Sequence, residues 1–186
     1  SKDASEYSRK LGVEVVNDFF SAKAAGKYGK FDAIYMKTVI EHLPDPEKLL
    51  LEAKDALAPG GLICIISPND YNPLQNILRE KMNFDPWWVS PPQHLNYFDS
   101  ASVSKLLERL GLEVVDLLGN FPMEFFLFSG LNYVGNPEVG RQCQLRRKDF
   151  ELNMYNGDPE LLNGIYRSFG GKGIGREFII IAKKNK

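Results

Sequence analysis

Apolar positions along the chain alternate between a helical and a strand rhythm. Residues from about Asp3 to Leu11 predict a short helix, stopped at Gly12, because glycine tolerates the backbone that ends a helix. Val13, Val15 and Val16, ending at Asn17-Asp18, predict a strand, and so does Phe31-Asp32-Ala33-Ile34-Tyr35-Met36, where β-forming side chains dominate. Asp45-Pro46-Glu47 marks a helix start, with Asp as cap, Pro in the first turn and an acid behind it. Leu49, Leu50, Ala53, Ala56 and Leu57 then recur at helical spacing, up to Pro59-Gly60-Gly61.

Leu62-Ile63-Cys64-Ile65-Ile66 is a continuous apolar run, the pattern of a parallel strand buried on both faces. Residues 70–98, with Pro73, Pro86, Pro91, Pro92 and the pair Trp87-Trp88, read as irregular. Ser100 begins another helix with Val103, Leu106, Leu107 and Leu110 on one face, and Gly111 stops it. Leu112 to Leu118 predicts a strand, residues 119–175 mix aromatics, glycines and helices, one opening at Asp158-Pro159, and Phe178 to Ala182 closes as a strand. Alternating strands and helices predict an α/β domain with a largely parallel sheet. In such sheets ligands sit beyond the carboxyl ends of the strands. Attention therefore falls on Asp18-Phe19, on Lys37 to His42, and on Pro68-Asn69-Asp70.

Composition narrows the classes. With 186 residues, 44% hydrophobic and 25% charged, the chain reads as one globular domain over 1–186 rather than a disordered or fibrous one. A net charge of -1 argues against a nucleic-acid partner, since phosphate binding draws on excess Lys and Arg. The only basic cluster, Arg141, Arg146, Arg147 and Lys148, reads as a solvated helix face. The apolar run Phe121 to Leu131 is broken by Pro122 and Glu124 and falls short of the about 20 residues a membrane span needs. No membrane partner is expected, and a cytoplasmic location is. Cys64 and Cys143 make neither a disulfide framework nor a four-ligand zinc site. Ser1, followed by Asp3 and Glu6, resembles a helix cap with acidic first-turn residues, so the chain is expected to be part of a longer one.

The run FDAIYMKTVIEHLPDPEKLLLEAKDALAPGGLICIISPN (Phe31 to Asn69) resembles the second half of a class I S-adenosylmethionine-dependent methyltransferase. There a strand of the form FD-x-I precedes an EHL-x-D-P segment, a helix, a P-G-G turn and an apolar strand. HLNYFDSASVSKLLERLGLEVVDL (His94 to Leu117) resembles the following helix and strand. The likeness covers about residues 1–118 and the final strand. It implies a Rossmann-like sheet of order 3-2-1-4-5-7-6 with its last strand antiparallel. The family's glycine-rich loop and ribose-binding acid find no counterpart, which implies that strands 1 and 2 are absent. Gly171-Lys172-Gly173-Ile174-Gly175 has suitable letters, but a strand follows it where a nucleotide-binding loop must open a helix. The sheet edge so exposed implies oligomerisation or strand re-pairing, and homo-oligomers are one expected form.

The resemblance implies S-adenosylmethionine as cofactor and a small-molecule acceptor, methylated at oxygen in the intact enzyme, with this chain alone inactive. Asp18 and Phe19 are the expected adenine contacts, Met36 and the backbone of Lys37 the expected sulfonium-side contacts. Glu41 and His42 are the sharpest chemical candidates, because a hydroxyl acceptor must lose its proton and histidine accepts protons near neutrality. Two adjacent residues make no metal site, and none is expected. Residues 70–98 are expected to form a substrate-side lid, with Trp87, Trp88 and His94 against the acceptor, and 119–175 an insertion. Each candidate has a plain alternative: a turn-forming Asp18, a structural His42, tryptophans that only fill a satellite core. The rival reading is a non-catalytic methyltransferase-like binding module. A nicotinamide oxidoreductase would need two mirrored halves, and an RNA methyltransferase a broader basic face.

Overall fold

A computed structural model of the chain describes residues 2–185. The Ser1 cap therefore lies outside the described residues. The strands β1 (Phe31–Lys37), β2 (Leu57–Pro68), β3 (Leu112–Gly119) and β4 (Glu177–Lys184) form one sheet in the order β1-β2-β4-β3. β1 and β2 are parallel, and β4 runs antiparallel to both its neighbours. This is the second half of the expected order, with the last strand reversed as expected. Around the sheet lie α1 (Lys2–Lys10), α2 (Ala22–Ala25), α3 (Pro46–Ala56), α4 (Pro73–Met82), α5 (Ser100–Arg109), α6 (Glu124–Phe128), α7 (Pro137–Gly157) and α8 (Pro159–Gly171). No described helix is long and apolar enough to cross a membrane.

The helix starts follow local chemistry. Asp45 accepts from the Lys48 N–H with Pro46 in the first turn, and Asp158 accepts from the Leu161 N–H with Pro159 behind it. Asp99 and Ser102 form a reciprocal capping box ahead of α5. Such caps satisfy amides that the helix itself leaves open.

One face of the sheet carries the main core. Leu50 and Ala53 of α3 and Val103 and Leu107 of α5 pack on Ile63, Ile65, Phe178 and Ile180. On the other face, α8 covers β3 through Leu118, Leu162 and Tyr166. β1 and β2 have no such second cover among the described residues: Tyr35 is 63% exposed and Leu62 39%. The expectation that β2 is buried on both faces is therefore corrected, and Cys64 is only half-buried. Its apolar run reflects a strand central to the sheet but covered on one side.

Two further readings change. Residues 13–16 form no strand and lie largely exposed, tied back to α1 by Arg9 to the Val15 carbonyl at 2.9 Å. β-branched residues favour an extended chain, but a strand needs a partner, and the described residues supply none. Segment 70–98 is not irregular throughout, since Asn72 caps α4 by accepting from Leu74 N–H and Gln75 N–H. Pro73, one of the prolines of that segment, opens the helix at a position where proline is tolerated.

The turn at 171–175 leads into β4, as expected. Gly175, at φ 139°, lies against Gly119, and a Cβ on Gly119 would stand 1.8 Å from the Ile174 carbonyl oxygen. These glycines serve backbone contact between the turn and β3.

Candidate active site

β1 ends in Met36-Lys37, and Thr38 follows with φ 51°, a conformation unfavourable for a β-branched residue. Its N–H donates to the Ile66 carbonyl at 2.9 Å, and its hydroxyl donates to the Lys37 carbonyl at 2.8 Å. The chain then makes one tight helical turn at Ile40–His42. This turn and segment 93–96 are stapled together: Leu95 N–H and Asn96 N–H both donate to the Glu41 carbonyl, at 2.8 and 3.0 Å. The Asn96 amide donates to the Leu43 carbonyl at 2.7 Å. The staple brings the His42 and His94 rings together, their centroids 4.9 Å apart at 74°.

The expected site residues divide between two cavities. One, of about 540 Å³, takes in Glu41, His42, Trp87, Trp88 and His94, so five of the nine candidates meet in one place. Residues 70–98 form one wall, and Met123, Glu124, Tyr133 and Gln144 of the 119–175 segment form the other. The second, of about 610 Å³, is lined by Phe19, Phe20, Ile34, Met36, Val39 and Asp45, among others. A smaller cavity of about 250 Å³ beside it is lined by Asp18, Phe19 and Phe20. Lys37 lines none of the three and is exposed. The turn after β1 separates the two large cavities: Met36 and Val39 face one, and Thr38, Glu41 and His42 the other.

Asp18 and Phe19 are both exposed, Phe19 at 94%. The Asp18 carboxylate accepts from the Phe19 N–H at 2.8 Å, so the two groups expected to meet an adenine here satisfy each other. Met36 is buried. The apolar walls of the second cavity fit a nucleoside with a sulfonium tail, since an aromatic ring stacks on phenyl faces and a sulfonium favours soft, apolar neighbours, while Asp18 lines the smaller cavity beside it.

In the first cavity, Glu41 is 1% exposed and its Oε2 accepts from the Ser67 hydroxyl at 2.9 Å. His42 Nδ1 lies 2.7 Å from the Gln93 carbonyl oxygen. A carbonyl only accepts, so Nδ1 carries a proton, and in the neutral ring Nε2, 3.7 Å from Glu41 Oε1, presents a lone pair. One ligand atom each of Glu41, His42 and His94 lie within 4.8 Å of one another. His94 thus joins the neighbouring pair that by itself made no metal site.

Several lining residues were not among the candidates. Asp70, two residues beyond β2 in the Pro68-Asn69-Asp70 stretch singled out from sequence but given no role there, has its carboxyl pushed up to about 7 by burial, then by the negative charges of Glu41 and Glu124. Glu124 is 2% exposed, and burial raises its carboxyl, opposed by hydrogen bonds from Asn72 and Gln75 and by Arg176. A lone acid inside the apolar run 121–131 was the available signal for it. Burial raises the Tyr133 hydroxyl, which is hydrogen-bonded by Trp87. The basic cluster faces elsewhere: Arg147 pairs with Glu151 and Arg141 with Glu138 along α7.

A family model for a methyltransferase domain matches residues 3–117. The chain is 30% identical over 151 residues to a ubiquinone biosynthesis O-methyltransferase of Dinoroseobacter shibae, covering 79% of this chain and 55% of that protein. It is 30% identical over 110 residues to the C-methyltransferase NovU of Streptomyces niveus, covering 57% of this chain and 24% of that protein. The chain thus spans about half the first relative and a quarter of the second. In fold it is similar to a SAM-dependent methyltransferase of Thermotoga maritima, with TM-score 0.57 and 18% identity over 100% of this chain and 70% of that one. The strand order, the segment after β1 and these matches converge: the chain belongs to the class I S-adenosylmethionine-dependent methyltransferases.

Proposed function

We propose that the complete protein transfers a methyl group from S-adenosylmethionine to an oxygen of a small-molecule acceptor. The observation that carries this reading is that one short turn, 36–42, lines both large cavities, so a donor on one side and an acceptor on the other would meet at the end of β1. Asp18, Phe19 and Met36 would hold the cofactor on the apolar side, with the backbone of Lys37 at the end of the strand. S-adenosylmethionine supplies an electrophilic methyl group and leaves as a neutral thioether. Trp87, Trp88 and His94 would hold the acceptor and exclude water, which strengthens electrostatics around a reacting charge. The hydroxyl of the acceptor gives its proton to His42 Nε2 as the new carbon–oxygen bond forms, and the Glu41 carboxylate beside that ring stabilises the imidazolium. Much of the acceleration then comes from alignment, as is general for in-line transfers.

The test is calorimetric titration of S-adenosylhomocysteine into the complete protein. Saturable binding, weakened by Asp18→Ala, is expected. A well-folded complete protein that binds none would overturn the enzyme reading in favour of a non-catalytic binding module.

A further inference from the structure

Six buried side-chain atoms, all on residues of the first cavity's walls, have no protein hydrogen-bond partner: Glu41 Oε1, Asp70 Oδ2, Gln75 Oε1, Trp88 Nε1, His94 Nδ1 and Glu124 Oε2. All six belong to residues that line it, and they account for every such atom found among the described residues. Four are oxygens, three of them from carboxyl groups. Buried polar atoms are nearly always paired in folded proteins, so this concentration in one cavity points to a ligand rich in donors.

The oxygens are held in place by their partners. Glu124 Oε1 accepts from Gln75 Nε2 at 3.0 Å and from Asn72 Nδ2 at 3.3 Å, which leaves Glu124 Oε2 and Gln75 Oε1 open. Glu41 is held the same way by Ser67. Asp70 lines the same cavity, near enough to both for each charge to act on it. Glu41, Asp70, Gln75 and Glu124 are each at most 5% exposed. Against three carboxyls the lining offers one permanent cation, Arg176, with the imidazoles of His42 and His94, while Glu177 is engaged by Asn120. The remaining wall is aromatic, from Trp87, Trp88 and Tyr133.

We propose that this cavity selects an acceptor carrying a protonated amine, whose N–H groups are taken by Asp70 and Glu124 and whose charge faces the rings of Trp87, Trp88 and Tyr133. Buried carboxylates lacking a counter-charge are costly, and an ammonium supplies both the charge and the donors. Aromatic faces attract the same cation. The ammonium end would anchor the molecule so that its hydroxyl reaches His42. That last step rests on the methyl-transfer reading; the amine site itself does not. The upward displacement of the Asp70 carboxyl has the same origin, crowded negative charge out of water.

The test uses three probes of one shape, tyramine, para-ethylphenol and para-hydroxyphenylacetate, titrated calorimetrically into the complete protein and its Asp70→Asn and Glu124→Gln variants. Tyramine should bind at least about tenfold more tightly than the neutral phenol, and the anion least. Each isosteric variant should lose most of that preference while its affinity for S-adenosylhomocysteine stays unchanged. The wild-type comparison needs no variant to fold. Equal binding of the neutral or anionic probe overturns the proposal, as does absence of tyramine binding by protein that binds S-adenosylhomocysteine. Saturable binding of Zn2+ alone, abolished by His94→Ala and not displaced by tyramine, overturns it too, because the open atoms then serve a metal. Tyramine selectivity without any S-adenosylhomocysteine binding keeps the amine site and removes the methyl-transfer reading.

Discussion

The His42 ring is oriented by a backbone carbonyl: its Nδ1 proton goes to the Gln93 oxygen 2.7 Å away, so that in the neutral ring Nε2 is the acceptor beside Glu41. A base pinned in one tautomer is ready to take a proton without rearranging. Replacing His42 by Ala should lower kcat by about 10²–10⁴ with S-adenosylhomocysteine affinity unchanged. Single-turnover methylation alongside calorimetry checks this. An unchanged kcat would mean that alignment alone carries the transfer.

Asp70 makes stability depend on pH in a stated direction. Its carboxyl titrates at about 7 in the fold, above the ordinary value of 3.8. The folded state therefore binds the proton more tightly, and the stabilisation is present below the ordinary value and lost as pH rises through about 7. Glu124, raised by burial, acts with the same sign. Urea unfolding at about pH 5 and about pH 8 should show lower stability at the higher pH, and Asp70→Asn should shrink the difference. The same slope in both proteins would exclude Asp70 as its source.

Asn69, 1% exposed, joins three parts of the chain at the end of β2. Its amide nitrogen donates to the Gly173 and Gly175 carbonyls at 2.9 and 3.2 Å, and its oxygen accepts from the Ser100 N–H at 3.1 Å. Asn69→Ala strands these groups in the interior and should cost about 2–3 kcal/mol, read from denaturant midpoints.

Gly119 has no room for a side chain. An added methyl would overlap the Ile174 carbonyl oxygen at 1.8 Å, so the turn must move away from β3. Gly119→Ala should destabilise by about 3 kcal/mol, whereas Gly157→Ala, where a Cβ meets nothing within 4 Å, should be close to neutral. Thermal melting of the two variants makes the comparison.

Much of this fold was legible where the signal is local. Asp45-Pro46, Asp158-Pro159 and the Ser100 start are helix beginnings written into adjacent residues, because a cap involves only the next turn. The same kind of signal stood at Asn72-Pro73, yet three further prolines downstream made the whole segment read as irregular and hid α4. Val13 to Val16 shows the reverse error: an extended preference is local, but pairing is not, and residues 13–16 form no strand.

The candidate site divides along the same line. His42 and Glu41 were visible as chemistry after a strand end, and Trp87, Trp88 and His94 as aromatic residues in segment 70–98. Asp70 and Glu124 were not assembled from sequence, since no periodicity links a residue after β2 to the first residue of α6. By itself the sequence determined the elements with local caps, encoded in short-range pattern, and its resemblance to a known family implied the order of strands. Only the tertiary structure decided which faces of the sheet are covered and which carboxyls share one cavity, because burial and charge crowding are set by neighbours brought together through space.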